Sequence, residues 1–274
     1  MKKTKTELST IYDFNSVYDF VQYLENSPVN PVFQSQQHST RSETGSNPWS
    51  GTHNYDEARD LLFHGWKPAA EKLNAMLQNS AYTPTRTTSF PRYDVVGGQA
   101  SVPRYLQGLP TNMVNRVPKK VPEKIVIINK DITFHGGWSP EKMMQEGLKS
   151  LQIIQAIEST GARVRLNVII GTSSFNWSKG DTNIIFRICL KSPDQRLNVA
   201  SMAFPIAHPA FLRRIFFKAV EVTPELNKTD FVGGYGKPIS IHPEKVAAMM
   251  TKNGEHFVPN EIKDLQEFLK NFSK

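Results

Sequence analysis

Between residues 10 and 25 the chain spaces Val17, Phe20, Val21 and Leu24 about one helical turn apart, with Asp13 and Ser16 upstream as candidate N-caps, which predicts an amphipathic helix. Two prolines in "SPVNPVFQ" end it, and the polar run "SQQHSTRSETGSNPWSG" predicts a loop. The next periodic stretch, "NYDEARDLLFHGWKPAAEKLNAMLQ", predicts two helical pieces. Asp56 and Glu57 suit the positive end of the first piece, and Ala58, Leu61 and Leu62 give it an apolar face. Gly65 stops that piece, Trp66 staples the turn, and Pro68 opens the second piece. Residues 1–80 therefore read as a helical N-terminal region.

Residues 81–123 lose all periodicity. Prolines at 84, 91, 103, 110, 118 and 122 exclude one regular element, while Phe90, Tyr93, Val95, Val96, Tyr105, Leu106 and Met113 are too apolar for a free linker. The segment is expected to wrap across a folded surface, although such tracts also serve as plain spacers. From residue 124 to 274 the pattern becomes that of an α/β domain. "KIVIINKDITF" predicts a strand. "SPEKMMQEGLKSLQIIQAIESTG" predicts a helix capped by Ser139, with Pro140 at its first position, Glu141 in its first turn, Gly161 at its end and a stripe of Met144, Leu148, Leu151 and Ile154. "ARVRLNVIIGT" and "TNIIFRICLKS" predict two further strands, "NVASMAFPIA" a short apolar piece, and "HPAFLRRIFFKAVEVTP" a helix opened by Pro209. Helical spacing recurs in "HPEKVAAMMTKN" and "PNEIKDLQEFLKNFSK". Strand, helix and strand in that order imply a right-handed crossover and a Rossmann-like sheet flanked by helices.

Composition narrows the chemistry more than it identifies it. The 274 residues are 39% hydrophobic and carry a net charge of +8, so the chain can build a core and favours polyanionic surroundings. No apolar run approaches the ~20 residues of a membrane span, and "MKKTKTELST" is followed by no secretory h-region. Cys189, the one cysteine, sits in "IIFRICL" and reads as a packed core thiol in a reducing compartment. Seven histidines are scattered without metal-ligand spacing, and His208 and His242 each precede a proline, where an imidazole caps or packs. "FVGGYGKP" has glycines and Lys237 but puts Pro238 where a phosphate loop needs a hydroxyl, and therefore reads as a turn. No nucleophile elbow or split carboxylate pair is visible, and no cofactor is expected.

The positive residues give the main functional signal. Arg213, Arg214 and Lys218 fall on one predicted helix, with Arg214 and Lys218 four residues apart. Arg104, Arg116, Lys119 and Lys120 extend a positive surface if the chain folds back, and Tyr105 beside Arg104 suits base stacking. Phosphate contact is one use of such residues. The structural alternative pairs Arg213 or Arg214 with Glu221, Glu158 or carbonyls, their stems covering apolar surface.

The blocks "SVYDFVQYLENSPVNPVF", "SGTHNYDEARDLLFHGW", "GGQASVPRYLQGLPTNMVNR", "MAFPIAHPAFLRRIFFKAVE" and "GGYGKP", taken together, resemble an uncharacterised family of phage and prophage proteins. That resemblance implies phage origin and a bacterial host, and no activity. "IVIINKDITFHGGWSP" followed by "AIESTGARVRLNVI" is also similar to von Willebrand factor A-type domains, a resemblance that implies Asp131 and Thr133 as candidate metal ligands, with His135 in place of an oxygen donor. Otherwise these residues simply continue a strand. The sequence favours a non-enzymatic component that acts by binding nucleic acid or virion proteins, in the host cytoplasm or associated with the particle and with no membrane contact. A metal-dependent enzyme using Asp131 and Thr133 at the end of the first α/β strand is the alternative, as is a protein that binds a host factor.

Overall fold

Strands and helices alternate along much of the chain. The structure, a computed structural model, describes residues 1–5, 9–35, 37–46, 48–79, 89–118, 124–174, 182–226, 248, 254–265 and 269. The order is β1 (Lys2–Lys5), β2 (Ser9–Phe14), α1 (Val17–Asn26), α2 (Tyr55–His64), α3 (Lys67–Asn79), β3 (Ser89–Asp94), β4 (Gln99–Ala100), α4 (Val102–Leu106), β5 (Met113–Pro118), β6 (Ile125–Asp131), α5 (Pro140–Ser159), β7 (Arg163–Ser174), β8 (Thr182–Lys191), α6 (Val199–Ala207), a π-helical segment (Phe211–Phe216), α7 (Phe217–Val222) and β9 (His256–Val258).

Six strands form one mixed sheet in the order β1-β2-β8-β7-β6-β9. The expected crossover is present: β6 leads through α5 to β7, its parallel neighbour, in register from Ile125↔Arg163 to Asp131↔Ile169. The sheet departs from a doubly wound pattern where β7 turns back antiparallel onto β8, and β2 then joins β8 in parallel, from Ser9↔Asn183 to Phe14↔Ile188. The fold is thus a mixed α/β sheet flanked by helices, and its strands come from both ends of the chain.

The single helix expected over residues 10–25 is a strand followed by a helix. "STIYDF" alternates with period two, so Tyr12 and Phe14 enter the core while Ile11 and Asp13 face the other side of the sheet. Ser16 alone caps α1, its Oγ accepting from the Asp19 amide at 3.0 Å. Asp13 lies on β2 and pairs with Arg187 instead.

The helices cover one face of the sheet. Val126 and Ile128 of β6, Val164, Leu166, Val168 and Ile170 of β7, and Ile184, Phe186 and Ile188 of β8 project there into one continuous core. Each such side chain contributes roughly 1.5–3 kcal/mol by leaving water. α5 starts as its sequence predicts, on Ser139 and Pro140, but its buried stripe is broader than expected: Met143, Gly147, Ile153 and Ile157 are buried beside Leu151 and Ile154, while Met144 and Leu148 are only partly so. Gly147 lets α6 come close, since a Cβ there would stand 3.0 Å from Ala207 Cβ. "NVASMAFPIA" is helical as α6 and, being apolar all round, is buried over most of its length. Cys189 is buried, and desolvation raises its thiol pKa.

The opposite face combines a small apolar cluster, Ile169 and Ile185 with Ile11 and Phe257, with a polar row. In that row Arg187 donates to Asp13 and, at 2.9 and 3.1 Å, to the two carboxylate oxygens of Glu255. Asn129 donates to Glu255 at 2.7 Å, and Asn167 to Asn129 at 2.9 Å.

Within the segment expected to wrap, residues 89–118 have regular structure of their own. They fold back on themselves as a three-stranded antiparallel sheet in the order β3-β5-β4, with α4 between β4 and β5. Residues 256–258, between the two tail stretches of helical spacing, form β9, residues 259–264 are irregular, and the remainder of those stretches falls mostly outside the described residues, as do "FVGGYGKP" and His242.

Candidate functional site

The two adjacent arginines that the sequence offered as phosphate contacts point into the protein. Arg213 is 4% exposed and Arg214 1%. They occupy the π-helical segment, where Phe211, Leu212, Ile215 and Phe216 are buried as well, so this part of the helix has no solvent face. Arg214 Nε donates to Ser50 Oγ at 3.0 Å, and Nη2 to the carbonyls of Thr52 and His53 at 3.0 and 3.1 Å. Nη1 donates to the carbonyls of Ser39, at 3.3 Å, and Arg41, while Glu43 completes the shell at 3.1 Å. Arg213 lies over the Trp49 ring, 4.2 Å from its centre, and donates to the carbonyls of Trp49, Gly136 and Trp138. Burial lowers the Arg213 pKa to about 10, against the pull of Glu43, and lowers that of Arg214 against Glu43 and Glu57. The structural alternative therefore describes this pair, with carbonyls and Glu43 as partners: Arg214 has its donors taken up by a buried shell, and Arg213, bound to three carbonyls, is itself buried beside the Trp49 ring.

This shell accounts for much of "SGTHNYDEARDLLFHGW". Ser50, Thr52 and His53 receive Arg214. Gly51 adopts φ +78°, and a Cβ on it would meet Pro209 Cγ at 2.9 Å. Asn54 caps α2 through the Glu57 amide at 2.8 Å, and the Glu57 carboxylate accepts from the amide of His53, one residue before the cap, at 2.7 Å. Gly65, at φ +80°, ends α2 as expected. Trp66 packs edge-on against His208, which also stacks on Phe204 and whose Nδ1 accepts from the Ala210 amide at 3.1 Å. Burial lowers the His208 pKa to about 4. Glu221, buried on α7, accepts from the amides of His38 and Ser39 at 2.6 and 2.9 Å; desolvation raises its pKa, while those hydrogen bonds and half-buried Lys218 pull it down.

Asp131 and Thr133 are buried at the end of β6 and bond to each other: Asp131 Oδ1 accepts from the Thr133 amide at 2.8 Å and from its hydroxyl. The pair closes a local turn instead of converging as two ligands. Among the described residues no group of three or more histidine, cysteine or carboxylate side chains is placed to hold a metal ion.

The remaining candidates gather on the 89–118 module. Arg104 is braced by Thr111, its Nε donating to the carbonyl at 2.8 Å and Nη2 to Oγ1 at 2.9 Å, and its guanidinium lies 4.4 Å from the centre of the Tyr93 ring. Tyr105 is 67% exposed, and Val95, Val96, Val102 and Leu106 are more than half exposed beside it in sequence. Arg116 takes the β5 position opposite Pro91; Lys119 and Lys120 lie outside the described residues. In sequence, residues 86–124 carry seven basic residues against Asp94 and Glu123, five of the chain's eight net positive charges, of which residues 89–118 carry two. Sequence reasoning named Arg104, Tyr105 and Arg116 but missed Tyr93, whose partnership with Arg104 depends on β3 pairing with β5.

A family model described as "Domain of unknown function (DUF7192)" matches residues 2–273. No curated protein and no solved structure matches the chain. No described helix is long and apolar enough to cross a membrane.

Proposed function

The chain belongs to the DUF7192 family, and from that premise, which fixes no activity, we propose that it is a phage-encoded binding component without a reaction of its own that takes single-stranded nucleic acid on the 89–118 module. One observation carries the reading: an exposed tyrosine, Tyr105, directly follows in the chain an arginine whose guanidinium is fixed over a second aromatic ring, within a stretch, residues 86–124, whose sequence carries five of the eight net positive charges. Exposed rings stack on bases whatever their identity, and basic side chains neutralise the backbone between them. Arg104, Tyr105 and Arg116 keep the role the sequence suggested, with Tyr93 added.

The test is fluorescence anisotropy with a labelled 20-nucleotide oligothymidylate across a salt series. Each neutralised phosphate adds about −0.7 to the slope of log affinity against log salt for a single strand. Tyr105→Ala is expected to weaken binding by about 1–3 kcal/mol, roughly 5- to 150-fold. Wild-type affinity in that variant, or no binding at low salt, removes the reading.

A second reading, a protein contact made during particle assembly, is favoured by Val95, Val96, Val102 and Leu106, exposed aliphatic side chains that stacking on bases does not use. Mass spectrometry of purified particles checks it. Stoichiometric presence supports assembly, and absence from particles despite abundance in infected cells excludes it.

A further inference from the structure

A separate cavity of about 530 Å³ opens where β2 passes into α1 and β8 passes toward α6, at the carboxyl ends of those two parallel strands. Its volume falls within the roughly 300–1,000 Å³ of small-molecule sites. Tyr18, Leu62, Phe63 and Met202 give it apolar walls, with Tyr18 62% and Phe63 46% exposed. Among the described residues of the lining Arg196 is the one that is charged, and none is acidic. It is exposed and forms no ion pair among the described residues, in contrast with buried Arg214 and its Glu43 partner. An unpaired cation at an aromatic-lined cavity discriminates by charge as well as by shape, because an apolar body removes the walls from water while an anionic group meets the guanidinium. Carboxyl ends of strands are also where open α/β sheets commonly hold ligands. We infer that this cavity binds a small amphipathic anion, an aromatic or aliphatic body carrying a single carboxylate, sulfonate or phosphate. The 89–118 module and the buried arginines take no part in it.

The experiment titrates the full chain with 8-anilinonaphthalene-1-sulfonate and, in parallel, with the uncharged N-phenyl-1-naphthylamine, following probe fluorescence. Expected is one saturable sulfonate site. Arg196→Glu, a surface change, is expected to weaken the sulfonate probe at least tenfold and the uncharged probe less than twofold. Ser201→Phe is expected to displace both probes, and Leu106→Ser on the 89–118 module neither. The inference is overturned by the absence of a saturable site, by Arg196→Glu weakening both probes equally or neither, or by probe binding that follows Leu106→Ser.

Discussion

Arg214 shows what a charged residue does when the helix bearing it has no wet side. Its guanidinium joins a loop to the core through carbonyls and Glu43, and truncation strands those acceptors away from water. Arg214→Ala is expected to cost about 3–5 kcal/mol, read as a fall in the urea midpoint. Arg214→Lys should recover little, because one ammonium with three donors cannot span acceptors from residue 39 to residue 53. A loss below 1 kcal/mol would contradict this role. His208 adds a pH dependence. Its folded pKa, about 4, lies below the ordinary 6.5, so the stability its neutral ring provides is complete above about pH 6.5 and is lost as pH falls toward 4. The loss is of the order of 3 kcal/mol; Glu221, with its raised pKa, works in the opposite direction, regaining stability as pH falls toward its ordinary 4.5. His208→Asn keeps an acceptor for the Ala210 amide and should flatten the melting temperature between pH 7 and 4.5; an unchanged profile would assign the dependence elsewhere. The sequence contained a sign of the inward arginines: in "FLRRIFF" apolar residues surround them on every side, leaving no polar stripe on which to place them.

Among the elements, those whose signals are local were legible. α5 and α2 begin and end where cap residues, Pro140 and Gly65 indicate, and β6, β7 and β8 follow their runs of branched residues. What stayed hidden depends on distant pairing. β2 is six residues of period two directly before a helix, and only β8, some 170 residues later, makes it a strand. β9 is three residues long and borrows its register from β6. The polar row on the open face ties these late-arriving strands together. Arg187→Ala leaves Asp13 and Glu255 without their cation and is expected to cost about 3 kcal/mol. Adding Asp13→Ala should return part of that loss, and strict additivity of the two changes in chemical denaturation would show that the pair is not coupled.

For the whole molecule, order should be unevenly distributed. The 89–118 module is a small sheet with many exposed apolar side chains, whereas β6, β7 and β8 lie in the main sheet over a continuous core. Amides of β3 and β5 are therefore expected to exchange with deuterium well before those of β7, which should open only with global unfolding. Equal protection would mean that the module is part of the same cooperative unit. Its proline-rich sequence hid the module because strand register, not periodicity, holds it together. The long sequence reach of Arg214 also bears on synthesis. Its acceptors between residues 39 and 53 leave the ribosome more than 160 residues before the guanidinium that gathers them. A nascent chain in which Arg214 has not yet emerged from the ribosome should thus remain protease-sensitive around residue 45, and one long enough to free Arg214 should be resistant there, so residues 39–53 finish folding only once a residue made long after them is available.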